Sequence, residues 1–393
     1  MATCARVDWR AIVIGSPVIA LELIDDPAWM GGVLYLRNLA ICLSRLPAGE
    51  RPELRLLGPS SAVDRVAAEI GASVPAAGGM LGRILSRLMP QARGEQPVDL
   101  VYPGFGATVP GAVTLRWVPD FQHRHLPHLF GEAEIAARDE AIGAIAARPG
   151  PFVLSSETAA QDFARFFPGH HARPRVWRFR SLVDTTAPAN PATLRKYGVP
   201  EKFLYLPNQF WVHKNHVMVF RALARLRAEG GPEIPLVCTG ATADRRNEAH
   251  FGLLETLARE SGIVPQLHLL GLIDRSEQLD VLRHAAAVIQ PSLFEGWSTV
   301  VEDVRGIGRP IFLSGIPVHR EQAPPRCTYF DPADDAALAR LLGDAWDGLT
   351  SGPDHTAERR AAERLDELVL EAGRTFMSIA TEMIDMKDSR GSP

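Results

Sequence analysis

Little in this sequence points to a protein held together by cross-links or metal, or anchored by a membrane span. The four cysteines, Cys4, Cys42, Cys238 and Cys327, stand far apart and form no C-x-x-C pair. That argues against a disulfide framework or a zinc site and for reduced thiols in a cytoplasmic protein. No apolar run reaches the length needed to cross a bilayer. The first apolar stretch, Ala11 to Ile24, is broken by Pro17 and Glu22 and has no basic cluster ahead of it, so no secretory leader is expected. Peripheral contact at the inner face of a membrane stays open, because a helix face or loop suffices for it. An excess of positive charge is missing too. The net charge is −4, without the basic clustering of a nucleic-acid binder. Neither G-x4-G-K-[ST] nor a strand-borne G-x-G-x-x-G occurs, which withdraws support from nucleotide hydrolases and dinucleotide dehydrogenases. The absence of G-x-S-x-G argues against a serine hydrolase of the usual α/β type.

What is present is an ordinary globular composition, 46% hydrophobic and 22% charged over 393 residues, long enough for two domains. Short β-type runs alternate with longer helical patterns, the signature of parallel sheets flanked by helices. In the first half, Ala11–Ile14, Leu54–Leu57, Val98–Tyr102, Val113–Val118 and Phe152–Leu154 read as strands, with helical patterns after Gly31-Gly32 and over Glu132–Ala147 and Glu157–Phe167. Periodicity stops near Val183 to Ala192, where proline appears twice, and marks a linker. A second series follows, with strands at Phe203–Leu206, Pro235–Thr239, Leu267–Leu270, Ala286–Gln290 and Pro310–Leu313. Glu358 to Met386 is one long amphipathic helical pattern. The expected fold is α/β, with two doubly wound Rossmann-like domains facing across a cleft. Their expected bounds are 1–190 and 191–360, with a C-terminal helix over 361–393 packing back toward the first domain. Ligands of such folds bind at strand C-termini, where helix N-termini converge on anionic groups.

The most informative stretch runs from Pro291 through Glu295-Gly296-Trp297-Ser298-Thr299 to Glu302-Asp303. It follows a buried strand, puts a carboxylate and a glycine on the connecting loop and then opens a helix. The amides of Gly296, Trp297 and Ser298 are expected to favour an anion, with Glu295 projecting into the cleft. A capped surface helix with solvated acids is the plain alternative. A second segment, Asn208-Gln209-Phe210-Trp211-Val212-His213-Lys214-Asn215-His216, places a lysine where a helix dipole disfavours cations, and an anion bound beside Lys214 would account for it. In the first half, Gly31-Gly32 sits between strand and helix. Asp120-Phe121-Gln122-His123 begins a stretch with three histidines in six residues. H-x-H-x-x-H converges on a metal only with help from other ligands, so zinc is not expected. Asp120 is a candidate to orient a neutral His123.

These segments resemble those of family-4 glycosyltransferases, retaining enzymes of the GT-B fold. The resemblance runs from about Gly31 to Asp331 and is stronger in the second half. The Glu295 stretch is similar to the E-x7-E motif, whose first acid contacts the donor sugar and whose second grips the nucleotide ribose. Asp303 stands at the second position, with Glu302 an alternative ribose partner. The Lys214 segment resembles the diphosphate-binding stretch, with Gln209 in place of an arginine and Asn208 beside it. His123 matches the histidine that faces the donor sugar. Gly31 and Gly32 match a glycine-rich loop, Gly240 and Gly271 match positions near the ribose and base, and Ser314 to Glu321 matches a further segment read as structural. The resemblance implies that the first domain holds the acceptor and the second the nucleotide. It implies a hexosyl transfer from a nucleoside diphosphate sugar, GDP-mannose or a UDP-sugar, to a saccharide or lipid-linked saccharide in bacterial-type polysaccharide or glycoconjugate assembly. His123, Lys214 and Glu295 would carry the catalysis. Neither cofactor nor metal is expected, since no D-x-D lies at a strand end. A nucleotide-sugar epimerase of the same fold and a non-catalytic nucleotide-sugar-binding protein are the alternatives.

Overall fold

A computed structural model describes residues 16–26, 29–71 and 96–391. The strand expected at Ala11–Ile14 lies outside them. The described chain opens instead with strand β1 (Val18–Glu22), whose first four residues are fully buried. It continues through β2 (Glu53–Leu57), β3 (Leu100–Tyr102), β4 (Val113–Thr114) and β5 (Trp117–Val118), then β6 (Gly150–Leu154) and β7 (Ala172–Val176). The single apolar run Val113–Val118 is therefore two strands in two sheets. β4 closes the order β2-β1-β3-β4, and β5 opens β5-β6-β7, all pairs parallel. β7 has the sequence Ala-Arg-Pro-Arg-Val and gave no strand signal. It is an edge strand, where a proline costs no ladder bond and the arginine heads reach solvent.

The second half forms one six-stranded parallel sheet from β8 (Leu204–Pro207), β9 (Leu236–Thr239), β10 (Leu267–Leu269), β11 (Ala287–Gln290), β12 (Ile311–Ser314) and β13 (Cys327–Phe330). Its spatial order is β10-β9-β8-β11-β12-β13. That is the doubly wound order 3-2-1-4-5-6, in which the chain reverses direction across the sheet between β8 and β11. The apolar residues Leu204–Leu206, Leu236–Cys238, Ala287–Ile289 and Ile311–Leu313 of the four inner strands are buried on both faces, as helices on both sides require.

The two lobes meet through shared apolar packing. Trp297 and Val318 of the second lobe join the cluster that holds Tyr35, Trp117, Trp177 and Phe179 of the first. The helix His355–Gly391 runs back from the second lobe. It places Leu365 and Val369 in the second-lobe core and Phe376 and Ile379 in the first-lobe core, and the Trp177 indole donates to the carbonyl of Ala372 at 2.9 Å. Among the described residues no helix is long and apolar enough to cross a membrane.

Candidate active site

The ends of β8 and β11 border the switch point, and each carries one of the expected site segments. After β8 the chain makes a short 3-10 turn, Val212–Lys214, and then Asn215 takes a left-handed conformation (φ 58°) before the helix His216–Ala228 begins. The Asn215 amide donates to the carbonyls of Pro291 and Pro332, each at 3.1 Å, which ties this corner to two other strand-end loops. Lys214 thus stands outside the helix proper and points across the switch point. Its ammonium meets Glu295 Oε1 at 2.7 Å, with the two side chains only 15% and 10% exposed. The anion that accounts for the misplaced lysine is here the chain's own carboxylate.

Glu295 sits in a dense polar hub. Its Oε1 also accepts from Gln290 Nε2 at 2.9 Å and Ser292 Oγ at 2.7 Å. Burial alone would raise its carboxyl, but Lys214, with His319 and His213 behind it, outweighs burial and holds it at about 2. Burial drives His319 down to about 4 and His213 to about 3. Both rings are neutral at physiological pH, so Lys214 is the counter-charge that matters there. Gln290 is fully buried and reaches Asn208, Ser292, Glu295 and Ser298 at once. A glutamine ending the otherwise apolar strand β11 is the sequence signal for this hub.

Several expected donor contacts are committed elsewhere. Asn208 is buried and donates to Gln290 Oε1 at 2.6 Å. Gln209 accepts from the amide of Ala241 at 2.9 Å, linking the loops after β8 and β9. The Ser298 amide, expected to face an anion, donates to Gln322 Oε1 at 3.1 Å. The Trp297 indole is packed in the interlobe cluster and donates to the Phe179 carbonyl at 3.1 Å. Thr299 opens the helix Thr299–Ile307, whose first-turn amides have no partner within the helix. Glu302 and Asp303 are both buried. Glu302 is gripped by Arg180, Arg305 and Gln322. Asp303 binds Arg275 through both oxygens and accepts from Ser181. Both acids therefore hold the crossover segment at 180–181 against the second lobe.

Gly296 is one of the places where the lobes touch. A Cβ there would stand 2.7 Å from the Pro119 carbonyl and 2.9 Å from Asp120 Cβ, so only glycine lets the Glu295 loop reach the end of β5. This contact brings Asp120 and His123 to the Glu295 side of the cleft. Burial raises the Asp120 carboxyl above its ordinary value. Asp120 accepts from the Gln122 amide at 2.9 Å and does not orient His123. That role falls to Asp139, 3.0 Å from His123 Nε2, and Arg124 shares the same carboxylate. His123 is fully buried and its Nδ1 has no partner. Asp139 lies a helix away in sequence, which is why only the structure pairs them. His125 turns away to Asp162 at 2.8 Å, and His128 makes a separate exposed turn. Gly31 and Gly32 are not in a loop. They form the first turn of the helix Met30–Ser44, with the Trp29 ring 2.7 Å from where a Gly32 Cβ would be. Gly240 (φ +137°) has its own close approach, since a Cβ there would lie 2.2 Å from the Asn208 carbonyl. Its amide donates to the Gly271 carbonyl at 2.8 Å, which joins the ends of β9 and β10.

Residues 188–347 match the family model described as glycosyl transferases group 1. No curated protein matches the chain by sequence. Among solved structures the chain is similar to HepE of Anabaena in complex with UDP and glucose, with a TM-score of 0.61, 13% identity, and 95% of this chain and 100% of that one covered. It is also similar to sucrose-phosphate synthase of Thermosynechococcus elongatus (0.59, 16% identity, 96% and 99% covered). A third is a UDP-forming trehalose-phosphate synthase of Burkholderia xenovorans (0.57, 13% identity, 94% and 99% covered). At such identities the likeness concerns the fold, which is GT-B over nearly the whole length. With that fold and a glycosyl transferases group 1 domain in its second lobe, the chain is a glycosyltransferase.

Proposed function

We propose that this glycosyltransferase is a retaining enzyme of the family-4 type that moves a hexose from a nucleoside diphosphate sugar to an acceptor hydroxyl. The observation that carries the reading is the Lys214–Glu295 pair at the switch point of the six-stranded sheet. A donor diphosphate entering there replaces Glu295 as the partner of Lys214. The released carboxylate is then free to take donor hydroxyls through charge-assisted bonds. As the bond from the anomeric carbon to the phosphate oxygen breaks, negative charge grows on the leaving diphosphate. Lys214 and the amides after Glu295 stabilise it. The resemblance to family-4 enzymes implies a same-face attack, in which the acceptor oxygen approaches from the departing side and its proton passes to the leaving phosphate. His123, fixed by Asp139, faces the sugar from the first lobe. HepE, solved with UDP and glucose, supports a UDP-sugar donor, with GDP-mannose the other choice. The acceptor is a saccharide or lipid-linked saccharide in polysaccharide or glycoconjugate assembly, reached from the cytoplasm and, for a lipid-linked acceptor, at the membrane's inner face.

The pairing of Asp303 with Arg275 and Ser181 favours one other reading, a protein that binds nucleotide sugar without turnover. Calorimetric titration with UDP, GDP and ADP, followed by transfer assays on Glu295→Gln, decides between them. Binding of one diphosphate, with transfer lost in the variant and nucleotide affinity kept, supports the enzyme. Binding without transfer in the wild-type protein supports the alternative, and no binding of any diphosphate overturns both.

A further inference from the structure

One carboxylate of the second lobe is held almost entirely by the first. Glu321 lies on the short helix Pro317–Gln322 after β12. Its Oε1 accepts from the Glu157 amide at 2.8 Å and Arg178 Nε at 2.9 Å, and its Oε2 from the Thr158 amide at 2.9 Å and Thr158 Oγ1 at 3.0 Å. The two amides belong to the first turn of the helix Glu157–Phe166, whose own cap, Ser156, satisfies the Ala159 amide. Glu321 thus completes the N-terminus of a first-lobe helix, where backbone donors and the helix dipole both favour an anion. Its side chain is 14% exposed.

The same short helix holds the Glu295 loop. Gln322 accepts from the Ser298 amide and donates to the Ser298 carbonyl at 3.0 Å and to Glu302 at 3.1 Å. His319 is fully buried, with Nδ1 on Ser314, Nε2 unpartnered and Glu295 in its electrostatic field. Side chains from two turns of helix therefore reach the first lobe, the Glu295 cluster and the loop between them. Another polar contact between the lobes is looser: Arg246 stacks over the Phe130 ring at 4.2 Å and stands 3.6 Å from Glu134.

We propose that Glu321 is a positioning residue, a latch across the lobes that keeps the Glu295–Ser298 loop in register with the first-lobe groups that face the sugar. Its catalytic consequence rests on the function proposed above, while its mechanical part does not. Parting the lobes leaves four donors and a carboxylate to be rehydrated together, and a shared helix passes that displacement to Gln322 and the loop it grips.

The test compares Glu321→Ala, Thr158→Val and a control, Arg320→Ala, whose side chain bonds the Gly315 carbonyl and covers Tyr329 within the second lobe. In Glu321→Ala, hydrogen exchange at residues 157–159 accelerates by about tenfold or more, the loss expected for charge-assisted bonds. Turnover falls by a similar factor, and affinity for free UDP or GDP changes less than twofold. Thr158→Val shows the same pattern more weakly and serves alone if Glu321→Ala does not fold. Arg320→Ala matches the wild type. Unchanged exchange at 157–159 overturns the latch. Equal loss of nucleotide affinity and turnover also overturns it, because that marks a damaged second lobe. If the wild-type protein transfers no sugar, the functional reading fails while the exchange measurement still decides the latch.

Discussion

In the second lobe six parallel strands form one continuous sheet whose switch point carries Lys214 and Glu295. Among the described residues the first lobe divides seven short strands into two sheets between Thr114 and Trp117 and has beside the Glu295 loop a buried imidazole held by Asp139. The difference separates two ways of building half a site. A continuous doubly wound sheet sets strand ends in fixed order, so residues 81 positions apart in sequence meet as an ion pair. The divided lobe positions His123 through a helix partner, and the close approach at Gly296 is one of its contacts with the other lobe. The Lys214–Glu295 pair lies on the second-lobe side of the cleft and the His123–Asp139 pair on the first-lobe side.

The largest test of that contrast is Lys214→Ala. Charge on the leaving group develops in the transition state, so turnover is expected to fall about a hundredfold or more. Affinity for free nucleotide should fall less. Steady-state rates and calorimetry on one preparation check this, and an unchanged rate would remove the second lobe's claim to the chemistry. Next, His123→Ala and Asp139→Asn should each lower turnover by about tenfold, as loss of a positioned group or of its orienting bond does. Asp120→Asn, by contrast, should leave the rate within about twofold, because its carboxylate serves the Gln122 amide and an amide oxygen accepts such a bond as well. If Asp120 and Asp139 exchange these ranks, the assignment of the first-lobe pair is wrong.

A third test reads pH. His216 is fully buried, stacked on Phe210 at 4.2 Å, and driven by burial from 6.5 to about 3. Its folded value lies below its unfolded one, so its neutral form contributes full stability above pH 6.5. That contribution is lost as pH falls toward 3, where the unfolded chain takes the proton first. His213 and His319 act in the same sense, and Glu295, held at about 2 against 4.5, adds loss below pH 4.5. His216→Phe should recover about 2 kcal/mol of the stability lost between pH 7 and 5, measured by denaturant titration at both pH values. An identical pH slope in the variant would show that the second lobe's buried rings do not govern acid stability. The smallest expected effect is that of EDTA. With Lys214 and loop amides available for the diphosphate, transfer should proceed unchanged in the chelator, and restoration by Mn²⁺ or Mg²⁺ after loss would contradict this.

The amino-acid sequence carries the alternation of strands and helices and shows which loops follow strand C-termini. Apolar runs such as Ala287–Gln290 and Ile311–Ser314 can be buried on both faces only inside a parallel sheet, and the polar stretches after them fall at strand C-termini by local rules of chain direction. The placement of Lys214 and Glu295 at strand ends was legible for that reason. Tertiary structure alone decided the partners. That Asp303 pairs with Arg275, that Asp139 and not Asp120 reaches His123, and that Val113–Val118 is two strands depend on elements far apart in sequence. Glu321 shows the same limit, since its four donors lie 143 to 164 residues away. A buried polar group takes whichever donor the packing brings within hydrogen-bond reach, and that proximity is set by how the two lobes close on each other.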